Sequence, residues 1–257
     1  MSPKLPLGLF AVLCALVSAG PVASQTTLRV VSYNIKHGLG NDGRVDLERI
    51  AEVIRGLDAD VVTLQEVDRG VARTGGVDQT SRLAELTGMR GLFGDFRPYD
   101  GGEYGMAVLT RLPVVAVHNH RLPQAPAPIS ALEVQVVAGP QGRIVSVVGI
   151  HLVTTPEERL AEADTLTGIL EGRAHPVVLA GDFNSRPGDI VLQRLDQDWL
   201  VVPKEGDRFT YPSDVPDREI DFIMLRPEEA FEIVEHRVVD EGVASDHRPL
   251  LAVLRLW

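Results

Sequence analysis

The chain is poorest in cysteine, with Cys14 alone in 257 residues. A disulfide framework and a Cys-ligated zinc site each need several thiols, so both are excluded. Aromatic residues are scarce as well, with seven Phe, four Tyr and two Trp, and no exposed aromatic hairpin can be read. No segment repeats at a fixed period, which argues against solenoids and propellers. Clustered basic runs are also missing. Non-specific nucleic-acid binding uses Lys and Arg to neutralise phosphates, whereas this chain sets 25 basic residues against 36 acidic ones, a net charge of −11. The acidity disfavours a duplex-DNA binder without excluding a basic patch assembled by folding.

One long apolar run exists, from Leu5 to Val17. It is shorter than the roughly 20 residues a membrane-spanning helix needs. Lys4 precedes it and small residues follow up to Ser24, the plan of a secretory signal peptide. The expectation is therefore a leader at 1–24, one domain at 25–257, a secreted or periplasmic monomer, and no membrane span once the leader is cut. Cys14 follows Leu13 rather than the small residue a lipidation site wants, so no lipid anchor is expected.

After the leader, short apolar strands alternate with amphipathic helices. Leu28 to Tyr33 and Val61 to Leu64 read as strands, being Val-rich and bounded by polar residues. Asp46 reads as an N-cap before Leu47, Ile50, Val53, Ile54 and Leu57 at helical spacing. A second helix is predicted over Asp78 to Thr87. Strands follow at Gly105 to Thr110, Pro113 to His118, Ala131 to Val137 and Arg143 to Ile150. Thr155-Pro156-Glu157-Glu158 has the composition of a capping box with Pro at N1. Further strands are predicted at Val177 to Ala180, Ile220 to Leu225 and Leu250 to Leu254. A run of strands framed by strand–helix units suits a layered α/β protein with two packed mixed sheets and helices outside.

Chemistry concentrates where these strands end. Asn34 follows Val30 to Tyr33, Glu66 follows Val62 to Gln65, and His151 follows Val147 to Ile150. Asp182 and Asn184 follow Val177 to Gly181, while Asp246 and His247 precede the last strand, and Asp221 lies within Glu219 to Ile223. Strand ends bring side chains to one sheet edge, where ligand crevices form. Carboxylate and amide oxygens are the ligands Mg²⁺ or Mn²⁺ prefers, and a neighbouring His can move a proton or donate to a phosphoryl oxygen. A lone strand-end Asp is more often a turn former or helix cap. Six such sites together point to a pocket.

The motifs Ser32-Tyr33-Asn34-Ile35, Gln65-Glu66-Val67-Asp68, Tyr104 to Arg111, Gly149-Ile150-His151-Leu152, Gly181-Asp182-Phe183-Asn184, Ile220 to Ile223 and Ser245-Asp246-His247-Arg248-Pro249 resemble the endonuclease/exonuclease/phosphatase superfamily. They occur in family order over essentially the whole chain after the leader. The resemblance implies a DNase-I-like four-layer α/β/β/α sandwich and a phosphate-ester hydrolase dependent on Mg²⁺ or Mn²⁺. It implies Glu66 as principal metal ligand, with Asn34 and Asp246 near the same ion. Asp182 would orient or deprotonate the attacking water, and Asn184 would fix it and a phosphoryl oxygen. His247 and His151 would face the phosphate, with Asp221 a further carboxylate near His247 and Asp246 an aid to orienting that ring. Met106 stands where many members carry Asn. Arg69, Asp78 and Arg111 are candidates for substrate contact or for salt bridges. The favoured substrate is a small or lipid-derived phosphate ester. Nucleic acid is the alternative, and a non-catalytic binding domain the third reading.

Overall fold

The computed structural model describes residues 26–123, 128–152 and 155–257; the expected leader lies outside them. Strand β1 (Thr26–Asn34), helix α1 (Leu47–Gly56), β2 (Val61–Arg69) and α2 (Gln79–Thr87) come first. Strands β3 (Arg90–Tyr99), β4 (Gly102–Thr110), β5 (Val114–Arg121), β6 (Ser130–Ala138) and β7 (Arg143–His151) follow. The chain continues through α3 (Pro156–Leu170), β8 (Val177–Asp182), α4 (Ile190–Leu195) and β9 (Leu200–Val201). It ends with β10 (Asp221–Arg226), β11 (Phe231–Val238) and β12 (Leu250–Leu256).

Two six-stranded sheets result, ordered β11-β12-β1-β2-β4-β3 and β5-β6-β7-β8-β10-β9. Both are mixed, because β1–β2 and β7–β8 are parallel while their neighbours pair antiparallel. Period-two alternation along β1 sets the layers. Leu28 and Val30 enter the core that also holds Leu132, Val134 and Val147 of the opposite sheet. Val31 and Tyr33 instead meet Ile50 and Ile54 of α1 and Leu83 of α2. On the far side Ala163, Leu166 and Leu170 of α3 join Val178 and Leu179 of β8. The expected α/β/β/α sandwich is the fold observed.

The helix starts follow from their caps. Asp46 accepts from the Arg49 N–H at 3.0 Å, and Asp78 from the Ser81 N–H at 3.0 Å. Each such cap stabilises by about 1 kcal/mol. Thr155 is the N-cap of α3 with Pro156 next, but its hydroxyl donates to the Glu158 carboxylate and caps no backbone N–H. The expected capping box is thus replaced by a side-chain pair.

Candidate active site

Strand register builds most of the site. His151 on β7 is aligned with Asp182 on β8, and Asp182 with Asp221 on β10. In the other sheet Asn34, the last residue of β1, is aligned with Gln65. These two rows meet at one edge of the sandwich. Asn34 Nδ2 donates across the sheets to Asp182 Oδ2 at 3.2 Å, and to Glu66 Oε1 at 3.1 Å.

Glu66 reaches that edge through a β-bulge. Leu64 pairs with Ala107 and Val67 with Gly105, so β2 carries one residue more than β4 there. Both Leu64 and Val67 therefore face the helical layer, and Glu66, at φ 59°, leaves the alternation. Lys36 and Asn184 are also left-handed, at φ 45° and 48°. Such backbone costs on the order of 1–3 kcal/mol per non-glycine residue and gathers at functional sites. Asn184 is held by its own N–H on Asp182 Oδ1 at 2.8 Å, by its Nδ2 on the Leu152 carbonyl at 2.9 Å, and by Arg159, which donates to its carbonyl.

The last loop is tied to the same place. Ser245 Oγ donates to the Asn34 carbonyl at 2.7 Å. His247 then lies with Nδ1 3.0 Å from Asp221 Oδ2 and Nε2 3.7 Å from Asp182 Oδ2. Tyr211 covers its ring, centroids 4.8 Å apart. His151 Nε2 approaches Asp182 Oδ2 from another side, at 3.5 Å.

Charge is concentrated here out of water. Burial alone would strip the proton from His247, but Asp221 and then Asp182 oppose it and raise its pKa to about 10. Burial also raises Asp182, helped by the like charge of Asp221, while the two imidazoles pull the other way. The set holds an imidazolium beside a carboxylate with heightened proton affinity. That is the equipment of a base and an anion-stabilising acid.

Asp246 does not take the ring-orienting role expected beside His247. It pairs with Lys36 Nζ at 2.8 Å, and this contact holds the lysine pKa up. The carboxylate that orients His247 is Asp221. Glu66 and Asp246 carry hard carboxylate oxygens of the kind a divalent cation prefers, so the donor chemistry fits such an ion. Asn34 keeps its Oδ1 on the Lys36 N–H at 3.1 Å and offers Nδ2 to both carboxylates. As placed, it steadies those carboxylates. Asp182, Asp221 and His247 also bring donor atoms within 4.8 Å of one another.

The remaining candidates fall elsewhere. Arg111 binds the Ala59 carbonyl and pairs with Asp58 and Asp60 at the opposite end of β2. Asp78 caps α2, and Arg69 pairs with Glu103 and covers the Phe93 ring. Met106 is fully buried in the core between the sheets, so it removes no polar group from the pocket. Lys36, Tyr211 and Arg159 are site neighbours that sequence reasoning missed. Only Lys36 carried a signal, standing two residues after Asn34.

This fold and this edge of converging carboxylates, amides and imidazoles define the class. The chain belongs to the Endonuclease/Exonuclease/phosphatase family, whose pattern matches residues 31–247. Members of that superfamily are phosphoester hydrolases. An endonuclease/exonuclease/phosphatase from Beutenbergia cavernae DSM 12333 is 27% identical over 90% of this chain and 72% of that one, with a TM-score of 0.71. A functionally unknown conserved protein from Enterococcus faecalis V583 is 21% identical over 90% and 100%, at 0.76. A mannosyl-6-phosphatase from Bacteroides thetaiotaomicron VPI-5482 is 17% identical over 88% and 99%, at 0.67. The last two likenesses concern the fold alone. Among the described residues no helix is long and apolar enough to cross a membrane.

Proposed function

We propose that the protein is a divalent-metal-dependent hydrolase of small or lipid-derived phosphate esters, acting as a monomer outside the cytoplasm. The observation that carries the hydrolytic reading is the convergence of Asn34, His151 and His247 on one oxygen, Asp182 Oδ2, within 3.7 Å. The chain's acidity and the leader-like first residues support the substrate and location.

A phosphate ester repels hydroxide, so the site must offset negative charge. His247, kept cationic by Asp221, does this at a phosphoryl oxygen. Asp182, with raised proton affinity, takes a proton from the attacking water. Asp182 also orients that water for in-line attack, and Asn184, fixed through its backbone and amide, holds a phosphoryl oxygen. Mg²⁺ or Mn²⁺, held by Glu66 and Asp246, would neutralise phosphate charge and acidify bound water.

The test is a phosphoester panel with purified protein in Mg²⁺, Mn²⁺ and EDTA. Release of phosphate or alcohol that EDTA abolishes and Asp182→Ala loses is expected. No turnover across the panel would overturn the hydrolase reading. Efficient plasmid nicking, lost in Asp182→Ala, would move the substrate to nucleic acid.

A further inference from the structure

We infer that the cleft beside His151 and Asn184 is a leaving-group subsite for an alcohol bearing a single flat ring; the inference rests on the phosphoesterase reading above. The cleft has a volume of about 290 Å³, and its outer walls are Phe96, Arg97, Tyr104 and Ile129. His151, Leu152 and Asn184 form the side shared with the candidate catalytic groups. A phosphoryl group seated against His151 and Asn184 would therefore send one ester substituent into this space.

Three of the four outer walls, Phe96, Arg97 and Tyr104, come from one hairpin, β3–β4, and a local irregularity shapes them. Asp95 pairs with Gly105 and Arg97 with Tyr104, leaving Phe96 as the extra residue of a bulge. The bulge turns Phe96 inward, where it is 3% exposed. Its ring meets Tyr104 edge-on, centroids 5.8 Å apart at 77°. Tyr99 lies 6.1 Å from Tyr104. Three of a scarce set of aromatic residues thus stand together, and two of them, Phe96 and Tyr104, line the cleft.

Arg97 gives the cleft its flat cation. Its guanidinium lies 5.3 Å from the Tyr104 centroid and 6.0 Å from that of Tyr99. Among the described residues it has no carboxylate partner, although the chain carries acidic residues in excess. Most other arginines here are tied to carboxylates, including neighbouring Arg69 and Arg73. A planar cation left over aromatic faces is a stacking and hydrogen-bonding platform for a ring. The volume sits at the lower edge of small-molecule pockets. That matches one ring system.

The experiment compares benzyl phosphate with methyl phosphate, and benzyl methyl phosphate with dimethyl phosphate. The two leaving alcohols in each pair are of nearly equal acidity, so a rate difference reads binding of the ring. Benzylphosphonate and methylphosphonate serve as non-hydrolysed competitors, with affinity read by calorimetry. The wild-type protein should prefer the benzyl member by about tenfold in kcat/KM, the scale expected for burying part of a ring. Benzylphosphonate should bind more tightly by a similar factor. Arg97→Ala and Tyr104→Leu, each checked for an unchanged melting transition, should bring both ratios toward one. Turnover with equal rates for the two members, unmoved by either variant, would overturn the subsite while leaving the hydrolase reading standing. Absence of turnover together with absence of phosphonate binding would overturn both.

Discussion

His247 is clamped between two carboxylates, 3.0 Å from Asp221 at Nδ1 and 3.7 Å from Asp182 at Nε2. The clamp keeps the ring cationic up to about pH 10. Asp221→Asn preserves the shape and removes the charge that raises the ring's pKa. His247 then loses its proton at lower pH, so the alkaline limb of the pH–rate profile moves toward neutrality. A limb that stays where it is would separate Asp221 from the charge state of His247.

Glu66→Ala and His247→Ala should each lower turnover by about 10² or more, as loss of other charge-stabilising groups does. The two variants separate by metal. Glu66→Ala should also demand higher Mg²⁺ for its residual rate, whereas His247→Ala should keep the wild-type metal requirement. Wild-type rates in either variant would sink the site assignment.

Much of this arrangement is legible in the sequence because it follows short-range rules. Buried strands such as Val177–Asp182 read clearly, and their polar ends mark the row of His151, Asp182 and Asp221. Two edge strands of the first sheet do not read. Arg90–Tyr99 carries Gly91, Gly94 and Pro98 and hydrogen-bonds to β4 alone, so its pattern is diluted. Phe231–Val238 pairs only with β12 and is broken by a bulge at Ile233/Glu235. The Lys36–Asp246 pair was hidden for another reason. Its partners come from opposite ends of the chain, and only the tertiary fold brings them together.

His236 makes stability acid-sensitive. It is fully buried, with Nδ1 3.0 Å from the Val202 carbonyl, to which it can donate as the neutral ring. Burial, then the nearby Lys204 charge, lowers its pKa to about 4. An unfolded chain takes up this proton near pH 6.5, the folded one only near 4. Stability is therefore complete above about pH 6.5 and falls as pH drops toward 4, by roughly 3 kcal/mol in total. Chemical denaturation across that window should show the loss, and His236→Asn should flatten it. An unchanged slope in the variant would assign the sensitivity to other groups.

Glu133 anchors the sheet face away from the candidate site. Its buried carboxylate takes hydrogen bonds from Arg173 at 2.7 and 3.0 Å and from Ser146 at 2.5 Å, and pairs with His120 at 2.7 Å. These contacts hold its pKa down in spite of burial. Glu133→Leu would leave the partners unsatisfied, and loss of one member of a buried ion pair costs about 3–5 kcal/mol. Urea unfolding should reveal that deficit with turnover per folded molecule unchanged. A deficit within experimental error would mean the cluster is replaceable.

Gly181 tests how closely the Gly-Asp-Phe-Asn segment is built against its neighbour. A Cβ there would stand 2.0 Å from the Ile150 carbonyl oxygen, an atom of the β7 backbone. Gly149 is different, since its Cβ would meet the end of the Met106 side chain at 2.6 Å. A methionine terminus can swing aside, whereas a paired strand cannot without shifting His151 against Asp182. Gly149→Ala should therefore cost about 1–3 kcal/mol as mild overpacking and remain active. Gly181→Ala should cost more and lose activity even in the fraction that folds, because it displaces the row of site residues. Equal stability and activity in the two variants would show that the β7–β8 spacing does not set the site.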